Sequence, residues 1–230
     1  MSKRLEGRLA LVTGASRGLG AAVAKRFAAE GAHVILTART VGGLEEVDDA
    51  IKSAGGTATL APLDLFEAEK IDMMAASIHQ RFGKLDILVS AAAQLGVLSP
   101  VHHLDQKTWD RTMFLNLTAN QRLIRAYDPL LRLSPAGRAI FTTCAAGSVP
   151  KAFWGVYAAS KAGLESLVRC YALELQKSTV DVHLIDPGPM ATKLREAAYP
   201  GEEATANPAP EDPSITDRFV DAAEAAATVQ

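Results

Sequence analysis

The sequence predicts an α/β fold, a single doubly wound parallel sheet with helices on both faces. Three features lead there. Short apolar, β-branched runs alternate along the chain with helix-length amphipathic stretches. Runs such as Ile87-Leu88-Val89 lack a polar alternate, the mark of a strand buried on both faces. A glycine-rich turn joins the first such run to the first helical stretch.

In chain order, strands are predicted at Leu9–Thr13, His33–Thr37, Thr57–Ala61, Leu85–Ser90, Ala139–Thr143 and Val180–Ile185. Helices are predicted near Gly18–Glu30, Leu44–Ala54, Glu67–Phe82, Asp105–Leu133 and Tyr157–Gln176. In the last of these, Leu164, Leu167, Val168, Tyr171 and Leu175 recur at spacings of three and four, so one stripe faces the core. Right-handed crossovers between parallel strands put ligands beyond the C-terminal strand ends. Pro200–Pro213 reads PGEEATANPAPEDP, with four prolines, four acids and no base, and is expected to be a loop or a mobile segment. Asp217–Thr228 reads as a short alanine-rich final helix, and no seventh strand candidate follows.

With 230 residues, 48% hydrophobic and 22% charged, the chain fits one globular domain that buries most of its apolar surface. A net charge of −2 provides no excess of base for nucleic acid. No apolar run approaches the roughly 18 residues of a membrane span. The opening Met-Ser-Lys-Arg-Leu-Glu-Gly-Arg lacks an apolar signal core. Cys144 and Cys170 make neither a disulfide framework nor a metal spacing, and the five histidines have no zinc spacing. The expected setting is therefore cytoplasmic, with no nucleic-acid, membrane or metal partner.

The glycine turn is Thr13-Gly14-Ala15-Ser16-Arg17-Gly18-Leu19-Gly20. Gly14 allows a sharp turn, Gly18 lets the backbone approach a pyrophosphate, and Gly20 lets the helix pack tightly on the strand. The free N–H groups and the positive end of the helix then face the anion. With its G-xxx-G-x-G spacing, the turn resembles that of the short-chain dehydrogenase/reductase family, whose signature is TGxxxGxG. The resemblance spans about residues 5 to 195. It implies a Rossmann-type domain of six strands, with the family's usual seventh missing. Residues 1–195 would bind a nicotinamide dinucleotide and carry the catalytic groups, and residues 196–230 would form a substrate loop and helical segment of the same domain.

The second strand ends at Thr37-Ala38-Arg39-Thr40. A cofactor with a free ribose 2′-hydroxyl favours an acid there. Ala38 holds the family's discriminating position, and Arg39 follows it. Arg17 lies near the same ribose in family geometry. Two guanidiniums favour a 2′-phosphate through charge-assisted hydrogen bonds, so NADP(H) is expected over NAD(H). Ser16 and Leu19 fall within the same turn. Asp64-Leu65 matches the family's adenine-recognising aspartate and its neighbour, and Asp64 also reads as a helix N-cap ahead of Glu67.

Tyr157-Ala158-Ala159-Ser160-Lys161 puts a phenol and an ammonium on one helix face. Tyr157 is expected to be the proton donor or acceptor at the reacting oxygen. The Lys161 charge, with that of an oxidised nicotinamide, is expected to favour the phenolate. Lys161 would also hold the nicotinamide ribose. By resemblance, Asn116 supports a proton relay through its backbone carbonyl. Pro187-Gly188-Pro189-Met190-Ala191-Thr192 matches PGxxxT, with Gly188 passing close to the nicotinamide and Thr192 bonding to its carboxamide or to the pyrophosphate.

Two motifs depart from the family. Cys144 stands where a serine thirteen residues before the tyrosine orients the substrate, and a thiol is a weaker donor. Thr142 or Ser148 could substitute for it. Ser90-Ala91-Ala92-Ala93 replaces Asn-Asn-Ala-Gly, which keeps small residues beside the cofactor (Ser90 and Ala91 among them) but removes a sheet-bracing amide. The expected function is hydride transfer between NADP(H) and a small carbonyl or secondary alcohol, by a two-fold dimer. The alternatives are a dinucleotide-binding redox sensor or interaction partner with little catalysis, and an assembly protein that has lost the cofactor.

Overall fold

The computed structural model describes residues 3–224. Six parallel strands form one sheet: β1 (Leu9–Thr13), β2 (His33–Thr37), β3 (Thr57–Leu60), β4 (Ile87–Ser90), β5 (Gly137–Thr142) and β6 (Val180–Ile185). Their spatial order is β3-β2-β1-β4-β5-β6. The order reverses between β1 and β4, where the crossovers diverge to opposite faces and leave a crevice. The register aligns Thr13 with both Thr37 and Ser90, so three strands end level at that crevice.

The helices are α1 (Gly18–Ala29), α2 (Val41–Ser53), α3 (Ala68–Phe82), α4 (Gln106–Met113), α5 (Ala119–Arg132), α6 (Gly155–Glu174), α7 (Lys193–Ala198) and α8 (Pro213–Ala223). Ala10, Val12, Val34, Leu36, Val89 and Ile140 pack with α1, α2 and α8 on one face. Leu11, Ile35, Leu88, Ala139 and Phe141 pack with α3, α5 and α6 on the other. Alternate strand residues thus enter two apolar cores, which is why these strands carry no polar alternate. On α6, Leu164, Val168, Tyr171 and Leu175 are buried, as the stripe predicts, while Leu167 is half-buried.

Two expectations need correction, the single helix over 105–133 and the start of the final helix. The single helix expected over 105–133 is interrupted by a π-turn at Phe114–Thr118. From Lys193 the chain forms α7, with Thr192 Oγ1 accepting from the Arg195 amide at 3.2 Å as its N-cap. Pro200–Pro213 is a loop, the first of the two forms expected, and side-chain and backbone bonds hold it. Glu202 takes a two-pronged bond from Arg195 at 2.7 and 2.6 Å and a third from Asn207 Nδ2 at 2.9 Å, and the Ala191 amide bonds Pro208 O. The final helix starts earlier than expected, at Pro213, because Asp212 caps it and Pro213 suits its first turn. The predicted stretch beyond Glu224 lies outside the described residues. Ile215, Phe219, Val220 and Ala223 bind α8 to the core beside α1.

Candidate active site

A cleft of about 1200 Å³ opens at the C-terminal ends of the strands. One wall is the glycine turn. Gly14 has φ +68°, and a Cβ there would come within 2.9 Å of Ala92 Cα. A Cβ on Gly20 would come within 2.3 Å of Gly14 O. Both positions therefore exclude any side chain, and the backbone itself forms the wall. No side chain caps the N-terminus of α1, so its first-turn N–H groups remain available to an anion.

Ser16, Arg17, Gly18 and Leu19 continue this wall, followed by Ala38, Arg39 and Thr40 at the end of β2. Arg17 and Arg39 are exposed and make no ion pair among the described residues. Asp64, Leu65 and Ala91 line the middle, and Pro187, Gly188 and Thr192 the far side. Asp64 is not the cap of α3: its Oδ1 accepts from the Phe66 amide at 3.1 Å, and Glu67 is the capping residue.

Ser90 departs from expectation. It is buried beneath the cleft, and its Oγ donates to Asn120 Oδ1 at 2.6 Å. Asn120 Nδ2 in turn donates to Asn116 O at 2.9 Å. Thr13 Oγ1 accepts from the amides of Ala91 and Ala92 at 3.1 and 3.2 Å. These bonds brace the strand ends where the family uses an asparagine amide.

Tyr157, Lys161 and Cys144 meet at the inner end of the cleft. Tyr157 is 5% and Lys161 3% exposed, so both hydrogen-bonding groups sit in a largely dry space. Lys161 Nζ donates to Thr142 O at 2.9 Å and lies 5.8 Å from the centre of the Tyr157 ring. Burial pushes the Tyr157 phenol up, and the adjacent Cys144 sulfur and the Asp186 carboxylate push the same way. Burial pushes the Lys161 ammonium down, against the pull of Cys144, Asp186 and Glu165. Among the protein's own groups Lys161 does not lower the Tyr157 phenol, which leaves the expected pull toward phenolate to the positive nicotinamide. Burial and the negative neighbours both favour the neutral form of the phenol.

Asn116 is not on the cleft wall. Its Nδ2 donates to Gln94 O at 2.9 Å and to Ser160 Oγ at 3.0 Å, while its Oδ1 accepts from the Gln94 amide at 2.9 Å. Ser160 Oγ donates to Tyr157 O at 2.8 Å. The amide therefore ties the loop after β4 to the turn of α6 that carries Tyr157 and Lys161. Neither suggested substitute for the missing serine offers a free hydroxyl to the site. The Thr142 hydroxyl is spent on Ser90 O at 3.0 Å, and Ser148 is exposed with its Oγ on Ala145 O.

The structure adds residues that sequence reasoning missed. Gln94, Leu95, Lys151, Trp154, Leu194, Ala198 and Tyr199 line the inner cleft. They come from the loop after β4, the segment leading into α6, and α7 with its C-terminal end, all far apart in the chain, and no spacing rule links them. Among the described residues no cluster of three His, Cys, Asp or Glu could hold a metal ion, both cysteines are free, and no helix is long and apolar enough to cross a membrane.

The family model for short chain dehydrogenases matches residues 8–203. The chain belongs to that family. The 2,3-dihydro-2,3-dihydroxybenzoate dehydrogenase of Bacillus subtilis strain 168 is 30% identical over 203 residues, covering 87% of this chain and 77% of the relative. A short chain dehydrogenase structure from Pseudomonas syringae superposes with a TM-score of 0.93 at 37% identity, covering 97% of this chain and 92% of the other. Another, from Shigella flexneri 2a strain 301 and solved with NADP, gives 0.93 at 32% identity over 97% and 94%.

Proposed function

We propose that this short chain dehydrogenase is an NADP(H)-dependent oxidoreductase that interconverts a carbonyl compound and a secondary alcohol. The observation that carries the reading is the continuity of one cleft, from the uncapped α1 N-terminus beside Gly14 and Gly18 to the buried Tyr157–Lys161 pair. The residues fit the cofactor. The glycine turn leaves room for a pyrophosphate, and Arg17, Arg39 and Thr40 surround the position where Ala38 replaces an acid. Binding of NADP by the Shigella relative supports the same choice.

The bound cofactor supplies or accepts the hydride at the reacting carbon. Tyr157 as a neutral phenol donates its proton to the carbonyl oxygen in reduction, and takes the hydroxyl proton back in the reverse direction. Lys161 has one hydrogen bond, to Thr142 O, and its remaining N–H donors serve the ribose and the phenol oxygen. Asn116 is a positioning residue acting through Ser160 and Gln94. We also propose a two-fold dimer formed through the outer faces of α5 and α6, where Ile124 and Leu167 line a shallow groove, and a cytoplasmic setting. Residues 196–230 act as part of the same domain, with α7 flanking the substrate end.

Cys144 favours a second reading, a cofactor-binding protein with weak turnover, because a thiol replaces the hydroxyl that would orient a substrate oxygen. Titration with NADPH and NADH, followed by a carbonyl panel, separates the readings. The oxidoreductase reading requires tighter NADPH binding together with NADPH oxidation. Binding without turnover, unchanged in Cys144→Ser, favours the second.

A further inference from the structure

We infer that the substrate is a planar cyclic compound bearing a carboxylate away from the reacting carbon, its ring against Trp154 and Tyr199 and its carboxylate on Lys151. This rests on the oxidoreductase reading above and names the substrate class for it. Aromatic residues make up only 6% of the chain, yet Tyr157, Trp154 and Tyr199 adjoin at this end of the cleft. The Trp154 ring centre lies 5.9 Å from that of Tyr157 and 5.7 Å from that of Tyr199. Trp154 and Tyr199 are only half-buried, and Leu95, Ala146, Ala198 and Leu194 complete an apolar surface around them. Such a wall rewards a flat ring more than a flexible chain, because ring faces stack with little loss of freedom.

The charge pattern supplies the second half of the argument. Arg195 stacks 3.7 Å from the Tyr199 ring centre, but Glu202 neutralises it through two hydrogen bonds. Lys151 is different. Its Nζ donates to Tyr199 Oη at 3.1 Å, lies 5.7 Å from the Trp154 ring centre, and has no carboxylate partner among the described residues. A phenol oxygen leaves the ammonium two free donors and its full charge. The cation stands one aromatic ring beyond the proton-donating Tyr157. A ring carrying its carbonyl at one end and a carboxylate at the other would offer one group to each.

Two measurements test this. In the first, NADPH oxidation is followed with 4-acetylbenzoate, a planar ring with a ketone at one end and a carboxylate at the other, and with its methyl ester. The expected result is a preference for the acid of about tenfold or more in kcat/KM, carried by KM, as a charge-assisted hydrogen bond provides. Lys151→Gln should erase the difference. Equal use of acid and ester by the wild-type protein overturns the proposal. The second needs no turnover: 2-naphthoate and its methyl ester are titrated against the NADPH-loaded protein by tryptophan fluorescence, with Trp154→Leu as the control. Tighter binding of the acid, lost in Lys151→Gln and with its quenching lost in Trp154→Leu, supports the site even if no carbonyl is reduced, in which case only the oxidoreductase reading falls. Equal binding of naphthoate and ester, or quenching unchanged in Trp154→Leu, overturns the site whatever the catalytic result.

Discussion

Two buried charges, one at each end of the sheet, are treated in opposite ways. Asp86, just before β4 at the N-terminal edge, is 1% exposed and accepts from the Leu9 amide at 2.9 Å, Ser134 Oγ at 2.5 Å and Lys84 Nζ at 2.6 Å. Burial alone would push its pKa up, but those donors outweigh it and hold the carboxyl below the usual range. Lys161, at the C-terminal edge, is almost as buried, with one backbone carbonyl as its hydrogen-bond partner. A saturated charge locks a fold, whereas an unsaturated one is held ready for something else. The contrast separates the end of the molecule that stabilises from the end that reacts.

The largest test of that contrast is at the reacting end. Tyr157→Phe should lower kcat for carbonyl reduction by about 10²–10⁴-fold while leaving the melting temperature unchanged, since only the hydroxyl is removed. Lys161→Met should also suppress reduction, yet keep or raise the melting temperature, because it removes a poorly compensated buried charge. A large loss of stability in Lys161→Met would break the comparison.

Asp86→Ala should cost about 3 kcal/mol in denaturant unfolding, because it strands the Ser134 and Leu9 donors and unpairs Lys84. The sign with pH follows from the depressed folded-state value. Asp86 contributes its stability above the ordinary carboxylate value of about 3.9, and loses it as pH falls through the lower folded value. Asp86→Asn should therefore unfold with a shallower dependence on acid pH than the wild-type protein.

Smaller effects sharpen the reacting end. Burial raises Tyr157, so the phenol keeps its proton through mildly alkaline conditions. The kcat/KM for reduction should show no Tyr157-dependent fall before the ordinary phenol value of about 10, checked by a pH–rate profile with NADPH saturating. Cys144→Ser should raise reductive kcat by about tenfold, below the roughly 2.7–4 kcal/mol assigned to a full oxyanion donor. A decrease would mean that the thiol itself suits the substrate.

Most of the sheet was legible because its signals are local. β1, β2 and β6 fall on their predicted bounds, since β-branched runs flanked by helical periodicity leave little choice of register. The glycine turn and the Tyr157–Lys161 pair were legible for the same reason: each is a short spacing whose chemistry follows from backbone geometry. The interruption of the helix at Phe114–Thr118 was not, because its amphipathic pattern runs through the π-turn, and Asn116 earns its place there only through Gln94 and Ser160, residues distant in sequence. Helix α7 carried one readable sign, Thr192 as a capping residue, but six residues are too few for periodicity to speak.

The six strand segments, the glycine wall and the reacting pair were thus determined by the amino-acid sequence, through turns, periods and spacings that act within a few residues. Tertiary structure decided the spatial order of the strands, which charges were left unsaturated, the burial that raises Tyr157, the retreat of Ser90 beneath the cleft, and the meeting of Lys151, Trp154 and Tyr199. Those properties depend on desolvation and on contacts between distant segments, and neither exists until the chain has folded.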